Sequence, residues 1–373
     1  MIKAIGIILA GGNNEGRLGD LTDHRAAAAL PIGSCYRAID FTLSNMSNSG
    51  IGKVAVLTQY NSRSLRDHLT SSKWWDFGRK QGGLFVFTPY TSNTESNWFR
   101  GTADSIYQNL SFLKRSNDDY VVITSGDSVY KMDYSRVIRY HEEKEADITV
   151  VYQRMQGKDL SGFGIMQTDE NGRVTDFEEK PVQARTNQAS LGIYVIRRDL
   201  LIRILEKVVP EGGYNIVKDI IIRAFDRLKV FGYDFDGYWS TISTGVKAYF
   251  DTNMDFLNTE IREHFVNDDP YIATKPKDEP PAKYNAGAEV SDAIVGSGTI
   301  FDGKVEHSVI FRRVYVEEGA RVTNSIVMEN CRIGKNAVVE NAILDKEVTV
   351  TDGKHIIGKS SAEPVILKKG TVI

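Results

Sequence analysis

Val305-Glu306-His307-Ser308-Val309-Ile310, Val322-Thr323-Asn324-Ser325-Ile326-Val327 and Val339-Glu340-Asn341-Ala342-Ile343-Leu344 are one phrase written three times, each copy 17 residues after the last. Val316, Ile333 and Val350 keep that step, as do Gly319, Asn336 and Gly353. An earlier copy, Val290-Ser291-Asp292-Ala293-Ile294-Val295, stands 15 residues ahead of the first. A period of about 17 to 18 residues is three short strands of roughly six, one coil of a β-helix. Ser and Ala fit tight corners, and Gly or Asn accepts the positive φ such corners demand. An antiparallel meander is the other architecture open to such short runs, but it gives no reason for several sets of positions to share one step. The repeat predicts a β-helix over residues 287–373.

Working back from the repeat, Asp268-Asp269-Pro270 and Lys275-Pro276-Lys277-Asp278-Glu279-Pro280-Pro281 read as an extended connection. Residues 256–286 are assigned to the linking segment and residues 1–255 to a first domain. There, short β runs alternate with helical stretches: Ile5–Ala10, Val54–Thr58, Leu84–Thr88, Tyr120–Thr124 and Ile148–Tyr152 read as strands. From Ala103 to Leu113, Ile106, Tyr107, Leu110 and Leu113 recur at helical spacing. That alternation predicts an α/β domain with a mostly parallel sheet covered on both faces, and ligands at the carboxyl ends of its strands.

Composition narrows the function. The formal net charge is -3, without the basic excess of a nucleic-acid binder. No apolar run reaches membrane-spanning length. The apolar start Met1–Ala10 runs straight into Gly11-Gly12 and reads as a buried strand rather than a signal peptide. Two cysteines in unrelated contexts, Cys35 and Cys331, form no disulfide framework and fit a reducing cytosol, so a cytoplasmic protein is expected.

The chemistry-bearing segments are weak one by one. Gly11 and Gly12 follow the first strand, where backbone N–H groups can approach a triphosphate beside Arg17, yet glycine is common in strand-to-helix turns of any kind. Asp127 in Ser125-Gly126-Asp127 ends an apolar strand, a place suited to Mg²⁺ that bridges phosphates. Phe177-Glu178-Glu179-Lys180-Pro181 reads equally as a ligand loop or a solvated charge cluster.

In this order, with Tyr36-Arg37-Ala38-Ile39-Asp40-Phe41, Arg100-Gly101-Thr102-Ala103-Asp104, Tyr130-Lys131-Met132-Asp133-Tyr134 and Ala189-Ser190-Leu191-Gly192-Ile193-Tyr194, they become specific. The chain resembles the ADP-glucose pyrophosphorylase (glucose-1-phosphate adenylyltransferase) family over nearly its whole length. The resemblance implies a Rossmann-like nucleotidyltransferase domain followed by a left-handed parallel β-helix. It also implies the reaction of ATP with glucose 1-phosphate to give ADP-glucose and pyrophosphate in glycogen synthesis. By the same resemblance Asp127 is a Mg²⁺ ligand and Arg17 joins it in the catalytic set. Gly11, Gly12, Gly101, Thr102 and Ala103 are nucleotide contacts, and Glu179, Lys180 and Ser190 hold the sugar phosphate. His24 and Arg37 stand where anionic sugar-phosphate effectors bind between the domains.

The departures fall where the chemistry needs charge. Thr241, in Gly237-Tyr238-Trp239-Ser240-Thr241-Ile242-Ser243, occupies the position of a second metal-binding aspartate. Ala27, in Arg25-Ala26-Ala27-Ala28-Ala29, occupies that of a phosphate-facing lysine. Ser128 replaces a histidine and Phe99 a tyrosine, and Glu15 adds an acid to the glycine-rich loop. The expectation is a catalytically impaired regulatory subunit with a weak or absent Mg²⁺ site, in a hetero-tetramer with a catalytic glucose-1-phosphate adenylyltransferase subunit. The alternative is an active adenylyltransferase with a compensated metal site. A more distant one is a β-helix acyltransferase built on His307. Arg312 and Arg313 read as a solvated edge.

Overall fold

The computed structural model describes residues 3–12, 16–78, 82–90, 98–157 and 159–373. Glu15 and its neighbours Asn13 and Asn14 lie outside the described residues. Ala4–Leu9 sits between Lys53–Leu57 and Tyr120–Ser125, parallel to both, and Gly83–Phe87 extends the sheet beyond Lys53–Leu57. Ile5, Ile7, Val121 and Ile123 enter one apolar layer, while Ala4, Ile8, Val54, Val56 and Val122 enter the other. Burial on both faces is why these strands read as unbroken apolar runs. Each expected strand appears within a residue or two of its predicted limits. On the other flank, Gln188–Arg197 joins antiparallel to Tyr120–Ser125 and carries Ile148–Arg154 and Gly164–Thr168 with it.

The helix expected over Ala103–Leu113 is two helices, Thr102–Gln108 and Leu110–Lys114. Asn109 breaks it: its side-chain amide donates to the Ser105 carbonyl at 2.9 Å, and its own N–H turns to Ile106. A short amide side chain competes in this way with the helical backbone ladder.

The linking segment is not extended throughout. Thr259–Val266 is an α-helix, capped by the Asn258 side chain accepting from the Glu260 N–H at 2.9 Å. Phe256 and Phe265 stack at 5.4 Å between ring centres and are fully buried. Their burial outweighs the polar composition that marked the region as a linker. The coil architecture also begins early, with Lys283–Tyr284 already paired to Ile300–Phe301.

Every strand pairing of the C-terminal domain is parallel. Val305, Val322, Val339 and Ile356 lie in register, as do Val316, Ile333 and Val350. Asp292, His307, Asn324 and Asn341 turn one corner in succession, with φ between 43° and 49°. His307 is thus one rung of a corner ladder, bonded through Nδ1 to Asp292.

The chain reverses which side faces inward at that corner. Ile310, Val327 and Leu344 fill the coil, whereas Val309, Ile326 and Ile343 pack with Tyr36, Phe41, Phe256 and Phe265 of the first domain. One apolar cluster therefore joins the two domains. Arg25 and Asp345 pair across the same interface at 2.7 Å, both almost completely buried. No helix among the described residues is long and apolar enough to cross a membrane.

Candidate functional site

A cavity of about 380 Å³ opens at the carboxyl ends of Ala4–Leu9 and Tyr120–Ser125, the place an α/β sheet offers to ligands. It gathers Gly12, Arg17, Ala27, Thr102, Asp127, Glu179, Lys180, Ser190 and Thr241 from segments scattered over most of the first domain. Asp127 lies between Tyr120–Ser125 and the short strand Ser128–Tyr130. Trp239–Thr241 pairs with that strand, setting Thr241 opposite Ser128. The Thr241 hydroxyl then reaches the Asp127 carbonyl oxygen at 3.4 Å and the Ser243 hydroxyl at 2.9 Å.

Asp127 takes a hydrogen bond from the Ser125 hydroxyl. Burial raises its carboxyl above the ordinary range, and the bonds from Ser125 and its own amide pull the other way without prevailing. Glu179 is also raised by burial, against the opposing pull of Lys180 and Lys218. Ala27 presents only a methyl group to the cavity.

Ser190 is aimed by a break in register. The pairing of Gln188–Arg197 with Ile148–Arg154 slips between Ser190 and Ile193, and Gly192 takes φ 70° there. A bulge of this kind re-aims side chains beside a site. Trp239 and Asn215, which motif reading passed over, also line the cavity. The buried Trp239 indole N–H has no hydrogen-bond partner among the described residues, leaving a donor for a ligand. Tyr194 and Ser125 were visible only as neighbours within quoted phrases.

A second hollow of about 250 Å³ adjoins the first, lined by Gly11, Gly12, Gln59, Tyr60, Gly101 and Thr102. The Gln59 side chain and the Phe99 backbone exchange hydrogen bonds at 3.0 and 3.3 Å. A Cβ on Gly101 would lie 2.5 Å from the Tyr214 carbonyl oxygen, so glycine is required by close approach. Ala103 does not reach either hollow; it is buried in the helix behind, its N–H bonded to Tyr214 at 2.8 Å.

Arg37 and His24 are placed differently. Arg37 lines a cavity of about 280 Å³ between the domains, with Lys275, Lys277, Arg312 and Glu329. His24 is exposed and lines no cavity described above. Arg312 is consequently not a solvated edge; it faces this cavity with its guanidinium 3.8 Å from Glu329. Arg313 occupies a coil corner and pairs with Glu279 at 2.6 Å.

Residues 5–259 match the nucleotidyl transferase family model, and residues 280–364 match the GlmU-like C-terminal hexapeptide model. Proteins named glucose-1-phosphate adenylyltransferase from Bacillus thuringiensis (strain Al Hakam), Bacillus anthracis and Bacillus mycoides are each 40% identical over 368 residues, covering 98% of this chain and 97% of their own. The chain belongs to the glucose-1-phosphate adenylyltransferase family. Within that family frame, the donors around Asp127 are one carboxylate and the hydroxyls of Ser125, Thr241 and Ser243. Among the described residues no three His, Cys, Asp or Glu side chains group as a metal site. Mg²⁺ favours anionic oxygen ligands, and this donor set does not fit a two-carboxylate site.

Proposed function

We propose that this chain is a subunit of a glucose-1-phosphate adenylyltransferase that keeps the cleft for ATP and glucose 1-phosphate but turns them over slowly on its own. Its partner is a catalytic homologue, in a hetero-tetramer. The observation that carries the reading is the hydroxyl of Thr241 beside Asp127, where the family pattern calls for a carboxylate.

The reading assigns roles to residues the fold brings together. Glu179 and Ser190 take the sugar hydroxyls, and Lys180 the phosphate. Gly11 and Gly12 admit the triphosphate beside Arg17, and Gly101 with Thr102 borders the base. The sugar phosphate oxygen attacks the α-phosphorus and pyrophosphate departs, so the chain's contribution is orientation and charge neutralisation. With Ala27 in place of a cation and one carboxylate in place of two, neutralisation is what it lacks. Metal stabilisation of phosphoryl charge is worth several kcal/mol and each ~1.4 kcal/mol is about tenfold, so a deficit of about a thousandfold is the expected scale.

The cavity between the domains supports a regulatory role. Arg37, Lys275, Lys277 and Arg312 face it against the single acid Glu329, a balance suited to a small anionic sugar phosphate.

The test is a steady-state assay of the purified chain alone and mixed with a catalytic relative. Slow turnover alone, with altered activation of the mixture, supports the subunit role; turnover alone at the relative's rate overturns it. That second outcome is the active-enzyme reading. It has its own support in the 40% identity to proteins carrying the enzyme's name. An acyltransferase role for His307 has lost its footing, because the residue is explained as a corner rung.

A further inference from the structure

The wall of the cleft on the Arg17 side is a segment whose two faces meet different partners. Arg17, Ala27 and Ala28 line the cavity. Gly19–Thr22 and Ala27–Ala29 are single 3₁₀ turns, too short to hold a position by their own hydrogen bonds. Between them lies Arg25, 4% exposed, whose guanidinium reaches both carboxylate oxygens of Asp345 at 2.7 and 3.0 Å. Asp345 is itself fixed within the β-helix. Its Oδ1 accepts from the Lys346 N–H at 2.7 Å and its carbonyl from the Cys331 thiol at 3.0 Å.

We propose that the buried Arg25–Asp345 pair is a positioning device by which the β-helix holds residues 17–30 in the shape that receives the nucleotide triphosphate. The inference rests on the reading of the cleft as an ATP site and not on how fast the chain turns over. Arg25 is a positioning residue, since it is buried and is not among the residues that line the cavity.

A second tie does not do the same job. Lys368 bridges to Asp20 and Asp23 at 2.8 and 3.4 Å, but all three side chains are substantially exposed. Solvated pairs of that kind are weak. The Arg25–Asp345 pair, in contrast, is almost completely buried on both sides. Buried ion pairs are often no better for stability than well-packed apolar residues of similar volume. That property separates a positioning role from a purely structural one.

The experiment uses the full chain and four variants: the double substitution Arg25→Met with Asp345→Leu, and the single substitutions Asp345→Asn, Arg25→Lys and Lys368→Ala. ATP affinity is measured by calorimetric titration, and hydrogen exchange is followed in peptides covering residues 17–30. The double variant should unfold in one cooperative transition, lose ATP affinity by about tenfold or more, and exchange faster in those peptides alone. Asp345→Asn keeps an acceptor oxygen and should weaken ATP by about threefold; it decides the matter should the double variant not fold. Arg25→Lys should retain most of the affinity, and Lys368→Ala all of it. Parental affinity and exchange in the double variant or in Asp345→Asn would overturn the proposal. So would a parent chain with no affinity for ATP. Rapid turnover by the isolated chain would contradict the proposed subunit role and leave this result untouched.

Discussion

Thr241 Oγ1 lies 3.4 Å from the main-chain carbonyl oxygen of Asp127, and both residues line the same cleft, one with a neutral hydroxyl and the other with a carboxylate. The proximity is built by the ladder between Trp239–Thr241 and Ser128–Tyr130.

Restoring charge should therefore restore chemistry. Thr241→Asp together with Ala27→Lys is expected to raise kcat by about a hundredfold or more, the lower part of the deficit estimated from several kcal/mol of phosphoryl-charge stabilisation. A steady-state assay of the double variant checks it. Unchanged turnover would place the defect elsewhere.

The sugar-phosphate side should respond to substitution irrespective of turnover. Lys180→Ala and Glu179→Gln each remove a polar group from the cavity wall, and glucose 1-phosphate should bind about tenfold more weakly to either, since each ~1.4 kcal/mol is tenfold. Calorimetric titration measures it. Lys304→Ala, on the β-helix surface and paired there with Glu289 at 2.6 Å, should leave that affinity unchanged.

His141 should make the fold sensitive to acid. Its ring is 1% exposed, its Nδ1 lies 2.8 Å from the Thr149 hydroxyl, and burial lowers its pKa to about 4. The unfolded chain takes up that proton near the ordinary value of about 6.5, and the folded chain only near 4. Stability is thus full above pH 6.5 and falls as pH drops toward 4, by at most about 3 kcal/mol from this group. Urea midpoints at pH 7.5 and pH 5 should differ less in His141→Asn than in the parent.

The two domains should unfold together. Ile326 is fully buried in the cluster it shares with Phe41 and Phe265, while Val327 fills the coil. Ile326→Ala should cost about 2–5 kcal/mol and shift one calorimetric transition, not split it. Two separate transitions would show the interface to be weaker than its apolar packing implies.

How far the fold could be read from residues depended on whether the signal was local. Val305, Val322 and Val339 pair as their spacing required, because a coil repeats its own register. The central strands were legible because both faces are buried. The helix Thr259–Val266 was hidden, since a stabilising partner of its Phe265, Phe41, lies more than two hundred residues away. In the site, Asp127, Lys180 and Ser190 stood in recognisable phrases. Trp239 stood in one too, but only the fold reveals its unpaired indole N–H in the cavity. Ala103 is buried in its helix and lines neither hollow, which its place in a recognisable phrase could not show. His24 is exposed while its neighbour Arg25 is buried, a difference of facing that residue type alone does not reveal.

Isothermal titration of Mg²⁺ into the isolated chain saturated with ATP, run beside a turnover assay of the same preparation, addresses the missing carboxylate most directly. The expected result is no protein-dependent Mg²⁺ uptake beyond that of ATP alone, with turnover about a thousandfold below a catalytic relative. Two tightly held Mg²⁺ ions per chain and turnover at the relative's rate would contradict it.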